Sequence, residues 1–252
     1  MTPYELDARA WQESWDRQQE AYLPDREHRL TALLDAVEAV VDSPTPLLLD
    51  LAGGTGSISL RALERFPQAR PTLVDLDPVL LGLAEASLAD RVTIVTADLL
   101  DPAWSTTLPH TGYDAVFTAT ALHWLPADRL TTLYAEVREI LRPGGLFVNA
   151  DHMPDDGLPG LSDKLTARAT ARRDARYRAG AVLSWENWWA HAAADPTLGP
   201  LVEKRRQVYP SGHSQDFLPP VGWHLDALRA AGFSEVGTIW RGGTDAAVAA
   251  VR

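Results

Sequence analysis

Cysteine is absent from this 252-residue chain, which excludes disulfides, thiolate metal sites and cysteine nucleophiles. Long apolar runs are missing too. No stretch approaches the ~18–20 residues of a membrane-spanning helix, so no membrane partner is expected. Basic residues are outnumbered, 23 Lys and Arg against 34 Asp and Glu, for a net charge of −11. Such a surface repels phosphate backbones, so nucleic acid is not an expected partner. Met1 to Arg17 is polar and charged throughout. No signal peptide is expected there, and the cytoplasm is the expected location. The remainder, 46% hydrophobic and 23% charged, is the composition of an ordinary globule, long enough for one large α/β domain or a domain with a cap.

The chain opens with two helical patterns. Residues 4–22 carry Tyr4, Trp11, Trp15 and Tyr22. Pro24 breaks this helix, and Asp25 can cap a second one to about Val41, whose Leu30, Leu33, Leu34, Val37, Val40 and Val41 have amphipathic spacing. Then strands and helices alternate: strand 47–51, helix 57–66, strand 71–75, helix 78–88, strand 91–95, strand 113–118, helix 127–141 and strand 145–150. This order predicts a mostly parallel sheet wound on both faces. It fails at Asp151, where helices replace it, one of them basic over 160–180. A loop over 209–220 follows, then helix 221–231, stopped by Gly232, and strands near 234–240 and 246–251.

The most informative stretch is Leu47-Leu48-Leu49-Asp50-Leu51-Ala52-Gly53-Gly54-Thr55-Gly56. A buried strand, a glycine turn and a helix make a cradle for a nucleotide-like ligand at the carboxyl edge of an α/β sheet. A dinucleotide fingerprint counted from Gly54 needs Gly or Ala where Ser59 stands. Asp75, at the end of the second strand, suits any adenosine ribose.

Asp50 to Gly56 also matches the pattern D-x-G-x-G-T-G, with Ala52 in place of its first glycine. Val74-Asp75-Leu76-Asp77-Pro78, Val95-Thr96-Ala97-Asp98-Leu99, Tyr113 to Trp124, Leu141-Arg142-Pro143-Gly144-Gly145 and Ala230-Ala231-Gly232-Phe233 follow in register. On these segments the chain, from about Leu30 onward, resembles the class I S-adenosylmethionine-dependent methyltransferases, small-molecule branch. The resemblance implies a doubly wound, mostly parallel seven-stranded sheet. N-terminal helices over 1–42 would form a lid. Residues 43–150 and 221–252 would form the cofactor-binding α/β domain, and 151–220 a helical cap over the substrate.

It also implies S-adenosyl-L-methionine as cofactor. Asp75 would accept both ribose hydroxyls. Asp98 would accept the adenine amino group, with the Leu99 amide nearby, and Leu76 would pack on the adenine face. Asp50, Ala52, Gly53, Gly54 and Gly56 would hold the methionine end, Thr118 and Ala119 its ammonium, and Arg29 its carboxylate. The plainer alternatives are that Asp50 caps the glycine turn and that Arg29 is an exposed helix charge.

The expected activity is in-line methyl transfer to an O, N or C atom of a small molecule, a secondary metabolite or small acid. The alternative is a methyltransferase-like protein that binds the cofactor but catalyses another reaction or serves as a non-catalytic partner. A base is needed only for a protonated acceptor, and His123 and His152 are the candidates, with His224 behind them. His123 could instead bond backbone or line the cofactor pocket. No metal is expected, because the strand-four segment offers no Asp or Asn after Asp114. In the cap, Trp185, Trp188 and Trp189 read as core or as pocket wall. Arg168, Arg172 and Arg176 share a helix face that is either solvated or anion-binding. A monomer or homodimer fits equally well.

Overall fold

The computed structural model describes residues 6–23, 25–209 and 217–252. The predicted helix start at residue 4, the Pro24 break and most of the 209–220 loop lie outside the described residues.

Strand β1 (Leu48–Leu51) is buried along its whole length, as a continuous apolar run in a two-sided sheet requires. Its faces alternate. Leu49 and Leu51 pack with helices α5 (Ala127–Ile140) and α9 (Val221–Ala230). Leu48 packs with α2 (Arg26–Val40) and α3 (Ser57–Arg65). Around β1 lie β2 (Thr72–Asp75), β3 (Thr93–Thr96), β4 (Tyr113–Ala119), β5 (Leu141–His152), β6 (Glu235–Gly242) and β7 (Asp245–Val251). The order is β3-β2-β1-β4-β5-β7-β6. Strands β1 to β5 are parallel, and β7 runs antiparallel to both neighbours. The connection direction reverses between β1 and β4, which opens a crevice at the carboxyl edge. The doubly wound seven-stranded α/β fold is as expected.

Several boundaries differ for local reasons. Helix α1 (Ala8–Tyr22) starts after Asp7, whose side chain accepts the Ala10 N–H. Asp25 does precede α2, but in a left-handed conformation with no side-chain cap bond. The predicted helix to 141 stops at Ile140, and β5 takes over at Leu141. Strand β5 thus begins four residues before the predicted 145, because Arg142-Pro143-Gly144-Gly145 is absorbed into a register shift against β4 between Tyr113 and Ala115. Proline fits a strand at such an irregularity. β5 also runs two residues past 150, carrying Asp151 and His152 to the sheet edge.

Beyond β5 come α6 (Pro159–Arg178), α7 (Trp185–Ala194) and α8 (Gly199–Val208). Trp188 is fully buried against Trp11 and Trp15 of α1, with ring centroids 5.5 and 4.9 Å apart. Val79 and Leu83 of α4 (Pro78–Leu88) join this second small core, so Trp188 is core and not pocket wall. Trp185 is largely exposed.

Candidate active site

The glycine turn is shaped by backbone conformation and by close packing. Ala52, Gly54 and Gly56 have φ of 53, 56 and 77°, the left-handed region that glycine enters most easily. A Cβ on Gly53 would sit 2.7 Å from Asp50 Cγ, and one on Gly56 2.4 Å from Leu88 Cδ1. A Cβ on Gly54 would be in ordinary contact with Leu80 Cδ1 at 3.5 Å, so at this position the positive φ and not crowding calls for glycine. Ala52 holds a glycine-like φ despite its methyl group, a local strain on the order of 1–2 kcal/mol.

Asp50 lies beneath the turn, fully buried. Its Oδ2 accepts the Ser59 N–H (3.0 Å) and hydroxyl (2.7 Å). Asp50 therefore braces the first turn of α3. Burial, aided by the nearby Asp75 charge, pushes its pKa up to about 7 against the Ser59 bonds. Asp75 ends β2. Its Oδ2 accepts the Gly54 N–H at 2.8 Å, and its Oδ1 the N–H groups of Leu76 (2.7 Å) and Asp77 (2.8 Å). Burial raises its pKa to about 6. An ionised carboxylate has about four acceptor sites, so a ribose finds one of them open unless a backbone bond loosens. Asp98 lies past β3, and its Oδ1 accepts the Leu100 N–H at 2.8 Å. The Leu99 carbonyl beside it takes the Arg129 Nε–H at 2.5 Å. Thr118 is fully buried at the end of β4, its hydroxyl without a partner among the described residues, and Ala119 closes the strand.

Arg29 is not part of this cradle. It is fully buried, paired with Asp245 at the start of β7, and lies 5.1 Å from the Trp240 ring centroid. It is not an exposed charge, and its ion-pair partner among the described residues is Asp245. The side chain that does meet the turn comes from α1. Gln12 donates to Thr55 Oγ1 (3.1 Å) and Ser57 Oγ (2.9 Å). Asp16 accepts from Ser57 Oγ at 2.8 Å and from Arg26 at 3.0 Å.

The rim beyond β4 and β5 gathers the histidines. His123 Nδ1 lies 2.7 Å from Asp151 Oδ1, and its backbone N–H donates to Asp151 Oδ2 at 3.2 Å. His152 Nδ1 lies 2.8 Å from Asp245 Oδ1. The two imidazole centroids are 5.4 Å apart. Asp151 is buried, which alone would raise its pKa, but the His123 bond and the charges of both histidines hold it below the usual range. For His152, burial works downward, while the bond and charge of Asp245, with Asp151, carry the net shift upward. Asp245 had no sequence signal. It meets His152 because β7 pairs antiparallel with β5 in that register. His224 is away from this pair, buried with Nδ1 2.7 Å from the Tyr134 hydroxyl, and burial lowers it to about 4. It is a weak base there. Among the described residues no group of three or more His, Asp and Glu side chains could hold a metal ion. No helix among them is long and apolar enough to cross a membrane.

These shifts predict how stability of the ligand-free protein varies with pH. Asp50 and Asp75 bind protons more tightly folded than unfolded, so stability falls as pH rises from about 4 through 7. His152, also raised, loses its contribution as pH climbs through its folded value above the usual 6.5. Asp151 acts oppositely, but only below its unfolded value near 3.8. His224, lowered to about 4, opposes the two raised carboxylates up to pH 6.5, so urea midpoints should fall only gently to about pH 6.5 and decline more clearly from there to pH 8. A series that rises from pH 5 to pH 8 would show that the carboxylates are not held this way.

The profile of the methyltransferase domain family matches residues 48–145, the glycine turn through β4 to the start of β5. A trans-aconitate 2-methyltransferase from Azoarcus sp. is 34% identical over 134 residues, 53% of this chain and 49% of that protein. A ubiquinone/menaquinone biosynthesis C-methyltransferase from Methylobacterium nodulans is 31% identical over 124 residues, 48% of each. The chain thus spans about half the length of the curated relatives it matches. Human N-acetylserotonin methyltransferase, solved with S-adenosylmethionine, shares the fold at a TM-score of 0.53 and 16% identity, over 100% of this chain and 60% of that one. The residues present fit that cofactor: a left-handed glycine turn, a carboxylate ending β2, and a buried hydroxyl without a partner among the described residues at the end of β4. The methyltransferase domain profile is thus seated on that turn, within a sheet of the order β3-β2-β1-β4-β5-β7-β6, and over this region the chain is similar to S-adenosylmethionine-dependent methyltransferases.

Proposed function

We propose that this protein transfers a methyl group from S-adenosyl-L-methionine to a small molecule whose acceptor atom loses a proton in the reaction, such as a hydroxyl, phenol, enol or ammonium. The facing pair of His–Asp dyads at the end of β4 and β5 is the observation that carries this reading. An acceptor that is already a carboxylate would need no base. The names of the two curated relatives support a small molecule, and because those names differ in acceptor, they leave the acceptor atom to be read from this chain's own rim.

In this reading Asp75 and Asp98 hold the nucleoside, with Leu76 and Leu99 against the adenine. Ala52, Gly53, Gly54 and Gly56 cradle the amino-acid end, Thr118 and Ala119 take its ammonium, and Asp50 braces the turn. The cofactor's carboxylate lies on the α1 side of the turn, where Gln12 meets Thr55 and Ser57. Residues 1–42 serve as lid and 151–220 as cap. The bound cofactor supplies an electrophilic methyl group on a sulfonium that is already a good leaving group. The chain must align the acceptor and exclude water, which together supply up to roughly 7–11 kcal/mol of barrier reduction in ideal cases. Asp151 accepts the Nδ1 proton of His123, which leaves Nε2 as the base. His152 is drawn toward its cation by Asp245. Proton acceptance falls to His123, whose imidazolium Asp151 compensates, while His152, paired with Asp245, lines the rim beside it.

Calorimetry tests the cofactor: S-adenosylmethionine should bind and NADH should not. Release of S-adenosylhomocysteine with a panel of small hydroxylated acceptors tests transfer. Tight NADH binding without S-adenosylmethionine binding would overturn the reading. Cofactor binding without turnover on any acceptor would favour a non-transferring relative.

A further inference from the structure

The basic helix α6 presents one arginine differently from the rest. Arg168, Arg172 and Arg176 are exposed, whereas Arg173 is half-buried. Its guanidinium lies 4.9 Å from the Tyr22 ring centroid, at the end of α1. The far side of the arrangement is the rim, because the same Tyr22 ring meets His152 edge-on at 6.3 Å. Arg173 Nε is buried with no hydrogen-bond acceptor among the described residues, and so is the Tyr177 hydroxyl one helical turn along. Asp174 comes within 3.6 Å of that Nε, an ion-pair distance too long for a hydrogen bond.

Buried donors without acceptors are rare and costly, and each one calls for an explanation. Here there are two, a guanidinium N–H and a phenol O–H, on the same helix. They stand one aromatic ring away from the proposed catalytic pair. A planar guanidinium is matched to a carboxylate, which it holds through two parallel bonds.

Resting on the reading of the His123–His152 rim as the acceptor site, we propose that Arg173, with Tyr177, is the subsite for a carboxylate on the acceptor. The substrate class is then a small acid with its carboxylate at one end and its reacting, proton-bearing group at the other. Tyr22 forms the wall between the two ends. Arg173 is a specificity residue and takes no part in the proton transfer.

Benzoate and its neutral counterpart benzamide are suitable probes, titrated into ¹⁵N-labelled protein loaded with S-adenosylhomocysteine. The arginine Nε–H signals are followed by NMR, and the Arg173 signal is identified by its loss in Arg173→Lys. Benzoate should move that signal and bind at least tenfold more tightly than benzamide. The preference should vanish in Arg173→Met and shrink in Arg173→Lys, with thermal midpoints unchanged. Arg172→Met, on the exposed face, should keep it. Equal binding of the two probes, no benzoate binding by the wild type, or an undiminished preference in Arg173→Met would overturn the subsite. Phenyl phosphate binding more tightly than benzoate, with the excess lost in Arg173→Met, would overturn the carboxylate assignment in favour of a phosphate. None of these readouts requires methyl transfer. Calorimetry with S-adenosylmethionine on the same variants reports separately on the methyltransferase reading.

Discussion

Asp245→Ala should cost the fold about 3–5 kcal/mol, the usual penalty for removing one partner of a buried ion pair. Arg29 is fully buried, and Asp245 is its ion-pair partner among the described residues. Two of its nitrogens, Nε and Nη1, have no acceptor there at all. Truncating Asp245 strands a guanidinium against Trp240 and the apolar face of α2, and it also removes the acceptor of His152 Nδ1. A domain with total stability of about 5–15 kcal/mol loses a large fraction of it. The thermal midpoint should fall by roughly 10 °C, at about 2–4 °C per kcal/mol for a chain of this size class. Asp245→Asn, which keeps an acceptor oxygen but not the charge, should fall between. Arg29→Met combined with Asp245→Ala should recover much of the loss, because the uncompensated charge leaves with its partner. Urea melts of the four proteins measure this directly. A loss below 1 kcal/mol in Asp245→Ala would mean that Arg29 reaches water or another carboxylate.

This ion pair also marks where the amino-acid sequence stops being legible. The apolar run at Leu47–Leu51, the glycines and the carboxylates at 75 and 98 are local signals, because each is dictated by neighbours a few residues away. They were enough for the sheet, the cradle and the cofactor family. Arg29 and Asp245 are separated by most of the chain. A helix with an arginine among Leu30, Leu33 and Leu34 reads as amphipathic with a charged edge until its partner strand is in place. The same holds for Asp245 and His152, which meet through the register of β5 and β7. On α6 the helical spacing grouped Arg168, Arg172 and Arg176 correctly as one face. Only the position of Tyr22 shows that the adjoining face, with Arg173, points inward. The accommodation of Pro143 within a strand likewise depends on the bulge against Tyr113.

Asp151→Asn should lower kcat by about 10²–10⁴, the usual contribution of a positioned general base, while cofactor affinity stays within about twofold. Asp151 is buried, and its two oxygens accept from His123 Nδ1, from the His123 backbone N–H and from the His152 backbone N–H at 2.8 Å. A carboxylate in that place requires the Nδ1–H tautomer of His123 and leaves Nε2 to take the acceptor's proton. An asparagine can instead offer an N–H to Nδ1. The imidazole proton then moves to Nε2, and the base faces the acceptor in the wrong tautomer. Steric change is minimal, so the loss should appear in kcat and not in KM for S-adenosylmethionine. His123→Ala should lose a similar factor. His152→Ala should lose less at neutral pH, since Asp245 biases that ring toward the cation, which stabilises charge but cannot accept a proton. If Asp151→Asn and His123→Ala both turn over within threefold of wild type, no base operates at this rim. The acceptor would then be a group already ionised at neutral pH, and the reaction would be methylation of a carboxylate.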